Sequence, residues 1–149
     1  MSKSVVLAYS GGLDTTALIP YLKANKGLDV IAVLVDVGRM RDVPVLVERA
    51  LAAGAVAAEA IDAKEEFAHE YCLPALMANA LYEDKYPLVS ALSRPLIAKK
   101  LVDKAHEYGA TAVSHGCTAK GNDQIRIEVG VRGLDPPLEI HGPAREPSL

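Results

Sequence analysis

Six apolar residues in a row, Val30 to Val35, stand between Asp29 and Asp36 in the stretch DVIAVLVDV. A strand with one wet face would alternate apolar and polar residues. An unbroken run suits a strand covered on both faces, as in a parallel sheet flanked by helices. Residues 4–9, SVVLAY, repeat the pattern. Residues 55–61, AVAAEAI, give a weaker third strand, and residues 111–115, TAVSH, a fourth.

The intervening segments have helical spacing. Residues 13–26 place Ala17, Leu18, Tyr21 and Leu22 on one side, with Pro20 expected to kink the helix. Asp42 is positioned to cap a helix through Ala53, with Pro44 in its first turn and Gly54 as its stop. Residues 63–80 carry Phe67, Tyr71 and Leu76 at helical spacing, and Pro74 is expected to break them in two. A helix opening at Ser93-Arg94-Pro95 and ending at Gly109 lines up Ile97, Leu101, Ala105 and Tyr108. Strand and helix in alternation predict an open α/β domain with a parallel sheet and three layers. In such a sheet ligands sit beyond the carboxyl ends of the strands. Three polar segments follow predicted strands at that edge: Ser10–Thr16, Asp36–Gly38 and His115–Asp123.

Residues 1–132 are read as this domain. Residues 133–149 hold four of the nine prolines and are read as a loosely ordered tail, too rich in proline for a core element. With one Phe and no Trp, the core falls to Val, Leu, Ile and Ala. A net charge of −3 offers no field for nucleic acid, so no such partner is expected. Cys72 and Cys117 fit neither a disulfide framework nor a zinc spacing, and the four histidines show no ligand spacing. The amino-terminal apolar run is short for a secretion signal and nothing approaches a membrane span, so a cytoplasmic protein without a membrane partner is expected.

The seam between the first strand and the first helix reads AYSGGLDTT, Ala8 to Thr16. A helix beginning at Leu13 leaves the amides of Gly11 to Asp14 unpaired at its positive end, which favours an anion. Gly11 and Gly12 let backbone approach an oxygen closely. Ser10, Thr15 and Thr16 add hydroxyl donors, and Asp14 fits as a helix cap or as a carboxylate facing a phosphate-bound metal. An ordinary capped turn fits the glycine pair equally well. Gly116 to Gly121 has the glycine spacing of the lysine-containing phosphate loop, but Asn122 stands where the lysine belongs.

The second segment, HGCTAKGNDQIR over residues 115–126, is read as a loop after a strand, crowded with polar groups. Arg126 offers a fork for a carboxylate or phosphate, and Asn122 and Asp123 suit an amine or a ureido group. Cys117 has no evident base beside it and reads as a small buried thiol rather than a nucleophile. The third segment, YEDKYPLVSALSR over residues 82–94, places Tyr86 and Ser90 between helices, where a tyrosine lines a pocket or simply packs.

AYSGGLDTT, RPLIAKKLV and HGCTAKGNDQ together resemble the argininosuccinate synthases, within the wider group of ATP pyrophosphatases that share an S-G-G-x-D loop. The resemblance runs from about Val5 to Val131. It implies an adenine nucleotide α hydrolase-like, Rossmann-like fold. The implied activity is condensation of citrulline with aspartate: ATP adenylates the citrulline ureido oxygen, pyrophosphate leaves, and the aspartate amine displaces AMP. By resemblance, Ala8, Tyr9, Ser10, Gly11, Gly12, Leu13, Asp14, Thr15 and Thr16 hold ATP, with Val35 and Gly116 also on the nucleotide. Tyr86, Asn122 and Arg126 touch citrulline, and Thr118, Asn122 and Asp123 touch aspartate. Magnesium accompanies the triphosphate, and no protein side chain is assigned as a metal ligand or catalytic nucleophile.

The resemblance also implies a longer, homotetrameric protein whose second domain completes the amino-acid pockets. The expectation is therefore a ligase segment inactive by itself. The alternative is a stand-alone adenine-nucleotide-binding module. Several positions depart from the family pattern: Thr16 and Ala91 replace serines, Ala119 a glycine and Arg39 a glutamine. An alanine at a position of positive φ would be strained.

Overall fold

The computed structural model describes residues 3–38 and 40–145. Five strands form one all-parallel sheet in the order β3-β2-β1-β4-β5. They are β1 (Ser4–Ala8), β2 (Asp29–Asp36), β3 (Ala57–Asp62), β4 (Ala112–His115) and β5 (Glu139–His141). The helices are α1 (Leu13–Lys26), α2 (Val43–Ala52), α3 (Lys64–Glu66), α4 (Leu73–Met77), α5 (Val89–Tyr108) and α6 (Asp123–Leu134), with a π-helical segment over Phe67–Cys72.

The unbroken apolar runs do what two-sided burial requires. Along β1 and β2, Val6, Ile31, Val33 and Val35 enter a core with Phe67 and the faces of α5 and α6. Val5, Leu7, Val30, Ala32 and Leu34 point the other way, into a core with α1 and the α2 residue Ala50. Alternate side chains of one strand thus serve two layers. The three-layer α/β reading holds.

The chain proceeds from β1 outward to β2 and β3, then returns to place β4 on the other side of β1. The reversal between β1 and β4 is a topological switch point, where the carboxyl ends of the strands leave a crevice. On that side α6 comes close to α5, because Gly130 has no side chain. A Cβ there would lie 2.8 Å from the Ala98 Cβ.

Several local expectations change. The proline-rich segment supplies β5, which pairs with β4 through Glu139, Ile140 and His141. An edge strand of three residues tolerates neighbouring prolines because few of its amides are needed. The polar stretch after β4 does not remain a loop through Arg126, since α6 begins at Asp123. Helix α5 starts at Val89, four residues before Ser93, and carries Pro95 inside its first turns. Pro74 does not interrupt the helical run. The π-helical turn over Phe67–Cys72 runs straight into α4, and Pro74 stands at the second residue of α4. Asp42 stands at the head of α2 in a left-handed conformation, φ 52°, with no side-chain cap.

Candidate nucleotide site

The Ser10–Thr16 loop is braced from behind. Gly11 has φ +78°, and a Cβ at this position would lie 2.6 Å from Leu46 Cδ2 on α2. Arg49, also on α2, donates from Nη1 to the Gly11 carbonyl at 2.8 Å. Two independent demands, a left-handed backbone and contact with α2, therefore select glycine here. Gly12 is the N-cap of α1, extended at φ −76° and ψ 170°.

The hydroxyls turn inward. Thr16 Oγ1 donates to the Gly12 carbonyl at 2.8 Å, which leaves Tyr9 as donor in its 2.9 Å bond to Thr16 Oγ1. Thr15 Oγ1 lies 3.3 Å from the same carbonyl, accepts from the Ser10 amide at 3.3 Å and meets Ser10 Oγ at 3.1 Å. These side chains shape the loop rather than project from it. Asp14 is an exposed residue of the first turn and not a cap, because Gly12 holds that position. No group among the described residues accepts from the amides of Gly11, Leu13, Asp14 or Thr15. The first helix thus offers a cluster of unpaired donors at its positive end.

Beside the loop lies a crevice of about 400 Å³. Its walls come from the end of β1 (Ala8, Tyr9, Ser10), from Thr15, from β2 and its continuation (Val33, Val35, Val37, Met40), from Arg94 and Ile97 on α5, from Gly116 after β4, and from Ile127 on α6. The convergence of the three post-strand segments is therefore real. The wall at Val37 and Met40 is fixed by Asp36, whose Oδ1 accepts from the amides of Gly38 at 2.8 Å and Met40 at 3.3 Å. Lys64 Nζ lies 3.2 Å from Asp36 Oδ2. Burial pushes the Asp36 carboxyl up, but these amides and Lys64 outweigh it and hold it below its ordinary value. At Gly116 a Cβ would lie 2.9 Å from Thr15 Cγ2, so the backbone after β4 presses against the first turn of α1.

Among the described residues lining the crevice, Arg94 is the one that carries a charge. Its Nη2 donates to Asp123 Oδ2 at 2.8 Å, and Nη1 reaches Ser93 Oγ at 3.2 Å. Arg126 Nη1 holds the other oxygen of Asp123 at 3.2 Å. The Arg94 hydrogen bond, more than any other contact, keeps the Asp123 carboxyl ionised well into acid. The motif reading missed Arg94 as a site residue. It lies one helical turn before Ile97, at the head of the apolar row Ile97, Leu101, Ala105 and Tyr108, and that spacing is the signal that places it there.

The other expected residues are less gathered. Thr118 and Asn122 are exposed on the segment leading into α6, and Asp123 and Arg126 occupy its first turn. Tyr86 pairs with Tyr82 as an isolated antiparallel bridge between α4 and α5, is exposed, and does not line the crevice. Ala119 is absent from the residues with positive φ, so alanine is unstrained there; the left-handed residue of this loop is Gly121, at φ +85°. Burial pushes the Cys117 thiol up. Arg39 lies outside the described residues. A second cavity, between α4 and α5, is walled by apolar residues such as Leu73, Leu76 and Leu92 and holds none of the expected site residues.

A family model described as the arginosuccinate synthase N-terminal HUP domain matches residues 4–149. The chain belongs to the argininosuccinate synthase family. It is 61% identical over 142 residues to argininosuccinate synthase of Ligilactobacillus salivarius, covering 95% of this chain and 35% of that protein. It is 61% identical over 144 residues to argininosuccinate synthase of Halalkalibacterium halodurans, covering 97% of this chain and 35% of that protein. The chain thus spans about a third of the length of these curated relatives. Among solved structures it resembles a predicted subunit of tRNA methyltransferase from Methanocaldococcus jannaschii, with TM-score 0.61 and 16% identity, covering 95% of this chain and 69% of that one. It also resembles an NH3-dependent NAD synthetase from Campylobacter jejuni, with TM-score 0.54 and 18% identity, covering 82% and 50%. At these identities the likeness concerns the fold.

Proposed function

We propose that this member of the argininosuccinate synthase family binds ATP in the crevice between β1, β2 and β4 and supplies the nucleotide-handling part of the ligase reaction. The observation that carries the reading is the set of amides at Gly11, Leu13, Asp14 and Thr15, left without acceptors beside a crevice of nucleotide scale. The adenosine lies against Val35 and Gly116, and the polyphosphate follows the Ser10–Thr16 loop. Arg94 adds a positive charge to the crevice wall. Magnesium needs few protein ligands when phosphate oxygens and water complete its shell, and exposed Asp14 is the carboxylate of the loop.

On this reading citrulline meets Tyr86, Asn122 and Arg126, and aspartate meets Thr118, Asn122 and Asp123. The chemistry demands alignment and charge neutralisation more than a nucleophilic side chain. Adenylyl transfer to the ureido oxygen releases pyrophosphate, and the incoming amine then displaces AMP. The residues named here orient the reactants and neutralise charge. The place in arginine biosynthesis follows from that reaction, and a reducing cytoplasm fits two free cysteines.

A second reading is favoured by one contrast. The crevice is built from elements of this chain, whereas Tyr86, Thr118 and Asn122 are exposed and line neither of the two cavities described above. These 149 residues alone would then act as an adenine-nucleotide-binding module. Calorimetric titration with magnesium ATP, repeated with citrulline and aspartate and followed by assay for argininosuccinate, separates the cases. The expected result is ATP binding without product. Absence of ATP binding by folded protein would overturn both readings.

A further inference from the structure

His115 ends β4, is 1% exposed, and has no role in the nucleotide reading above. Its two ring nitrogens are both engaged. Nδ1 accepts from the Cys117 amide at 3.2 Å. Nε2 lies 3.2 Å from Glu128 Oε1 on α6. A neutral imidazole carries one proton, so an accepting Nδ1 places that proton on Nε2, where it donates to Glu128. Glu128 is bonded in turn by the Arg145 guanidinium from the turn after β5. A chain of contacts therefore runs from the crevice wall through β4 to α6 and the segment beyond β5.

The Gly116–Cys117 peptide is trans. In a trans peptide the N–H and C=O point in opposite directions. Tying the Cys117 N–H back to His115 therefore throws the Gly116 carbonyl to the far side of that peptide. Gly116 lines the crevice, and its neighbour across the wall is Thr15. We propose that His115 is a positioning residue that fixes the Gly116 carbonyl as an acceptor for a donor on the nucleoside, an exocyclic amine or a ribose hydroxyl. An apolar residue of similar size would fill the same space without orienting the peptide. Burial, opposed by Glu128, keeps the imidazole below its ordinary pKa and hence neutral, as an accepting Nδ1 requires.

The inference rests on the nucleotide reading and separates two parts of the ligand. Adenosine probes the Gly116 wall, and inorganic pyrophosphate with magnesium probes the Ser10–Thr16 loop. Both are titrated by NMR into the wild-type chain and into His115→Leu, His115→Asn and Glu128→Gln. His115→Leu should weaken adenosine about tenfold, the scale of one lost hydrogen bond, and leave pyrophosphate within about twofold. Asparagine can accept from the amide two residues on, as in an Asx-turn, so His115→Asn should restore most of the adenosine affinity. Glu128→Gln keeps an acceptor for Nε2 and should retain adenosine binding. Nitrogen NMR of the wild type should show the Nε2-protonated tautomer.

Wild-type adenosine affinity in His115→Leu would overturn the proposal. So would equal losses for both probes, failure of asparagine to rescue in a folded variant, or an Nδ1-protonated ring. A wild-type chain that binds neither probe would instead overturn the nucleotide reading beneath it.

Discussion

The Ser10–Thr16 loop and the Tyr86–Arg126 residue set are two halves of one expected site, built on different principles. The loop is main chain, braced by Leu46 and Arg49 from α2 and by its own threonines. Its donors are fixed before any ligand arrives, which is the preorganisation that electrostatic stabilisation requires. The amino-acid set is made of side chains on two segments far apart in sequence, one around Tyr86 and one from Thr118 to Arg126. Among these side chains only those of Asp123 and Arg126 are joined, through their mutual contact and Arg94. Substitutions should therefore act differently in the two halves.

The largest effect is expected at Gly11. Gly11→Val combines a left-handed backbone with a Cβ set against Leu46, and should cost about 2–4 kcal/mol of stability along with ATP binding. Gly12→Val sharpens the comparison. Gly12 has φ −76°, and its Cβ would meet only Ser10 Oγ, at 3.4 Å. The fold should survive with its melting temperature nearly unchanged, while ATP binding, read by calorimetry, is lost. Unchanged affinity in Gly12→Val would remove the phosphate role of the loop.

Next comes Arg94→Met, which removes a positive charge from the crevice wall. It should weaken ATP by about ten- to a hundredfold, the scale of a charge-assisted hydrogen bond. The loss should shrink as salt is raised. Equal affinity in Arg94→Met would confine Arg94 to holding Asp123.

Acid should act on both halves through stability. The folded-state pKa of His115 lies below its ordinary 6.5, so the unfolded chain takes up that proton first. The associated stability is complete above about pH 6.5 and is lost as pH falls through the lower folded value. Asp36 and Asp123 are likewise held below their ordinary 3.8, so a second loss begins only below about pH 4. Urea midpoints measured from pH 8 down to pH 3 should fall in those two windows.

The smallest effect is expected at Tyr86. Tyr86→Ala should leave ATP affinity and stability unchanged, because the side chain is exposed and away from the crevice. A marked loss of ATP binding would dissolve the distinction between the two halves.

The same distinction governs what could be read from residues alone. Unbroken apolar runs specified β1 and β2, and the glycine pair marked a site made of backbone. Helix α6 was hidden by its pattern. Ile125, Ile127, Val129 and Val131 alternate as a strand would. Packing against α5 selects a helix that buries Ile127 and Val131, four residues apart, and leaves Ile125 and Val129 exposed. Strand β5 was hidden by the prolines on either side of it, which a three-residue edge strand accommodates. The Arg94–Asp123 pair spans 29 residues, and no local pattern reports a contact of that range.

The most direct test follows individual backbone amides by 15N–1H NMR as magnesium pyrophosphate, and then magnesium ATP, is added to the folded chain. The largest shifts in both titrations are expected on Gly11, Leu13, Asp14 and Thr15, with Gly116 joining only when the nucleoside is present. Saturable binding that leaves those four amides unmoved would contradict the phosphate role of the loop.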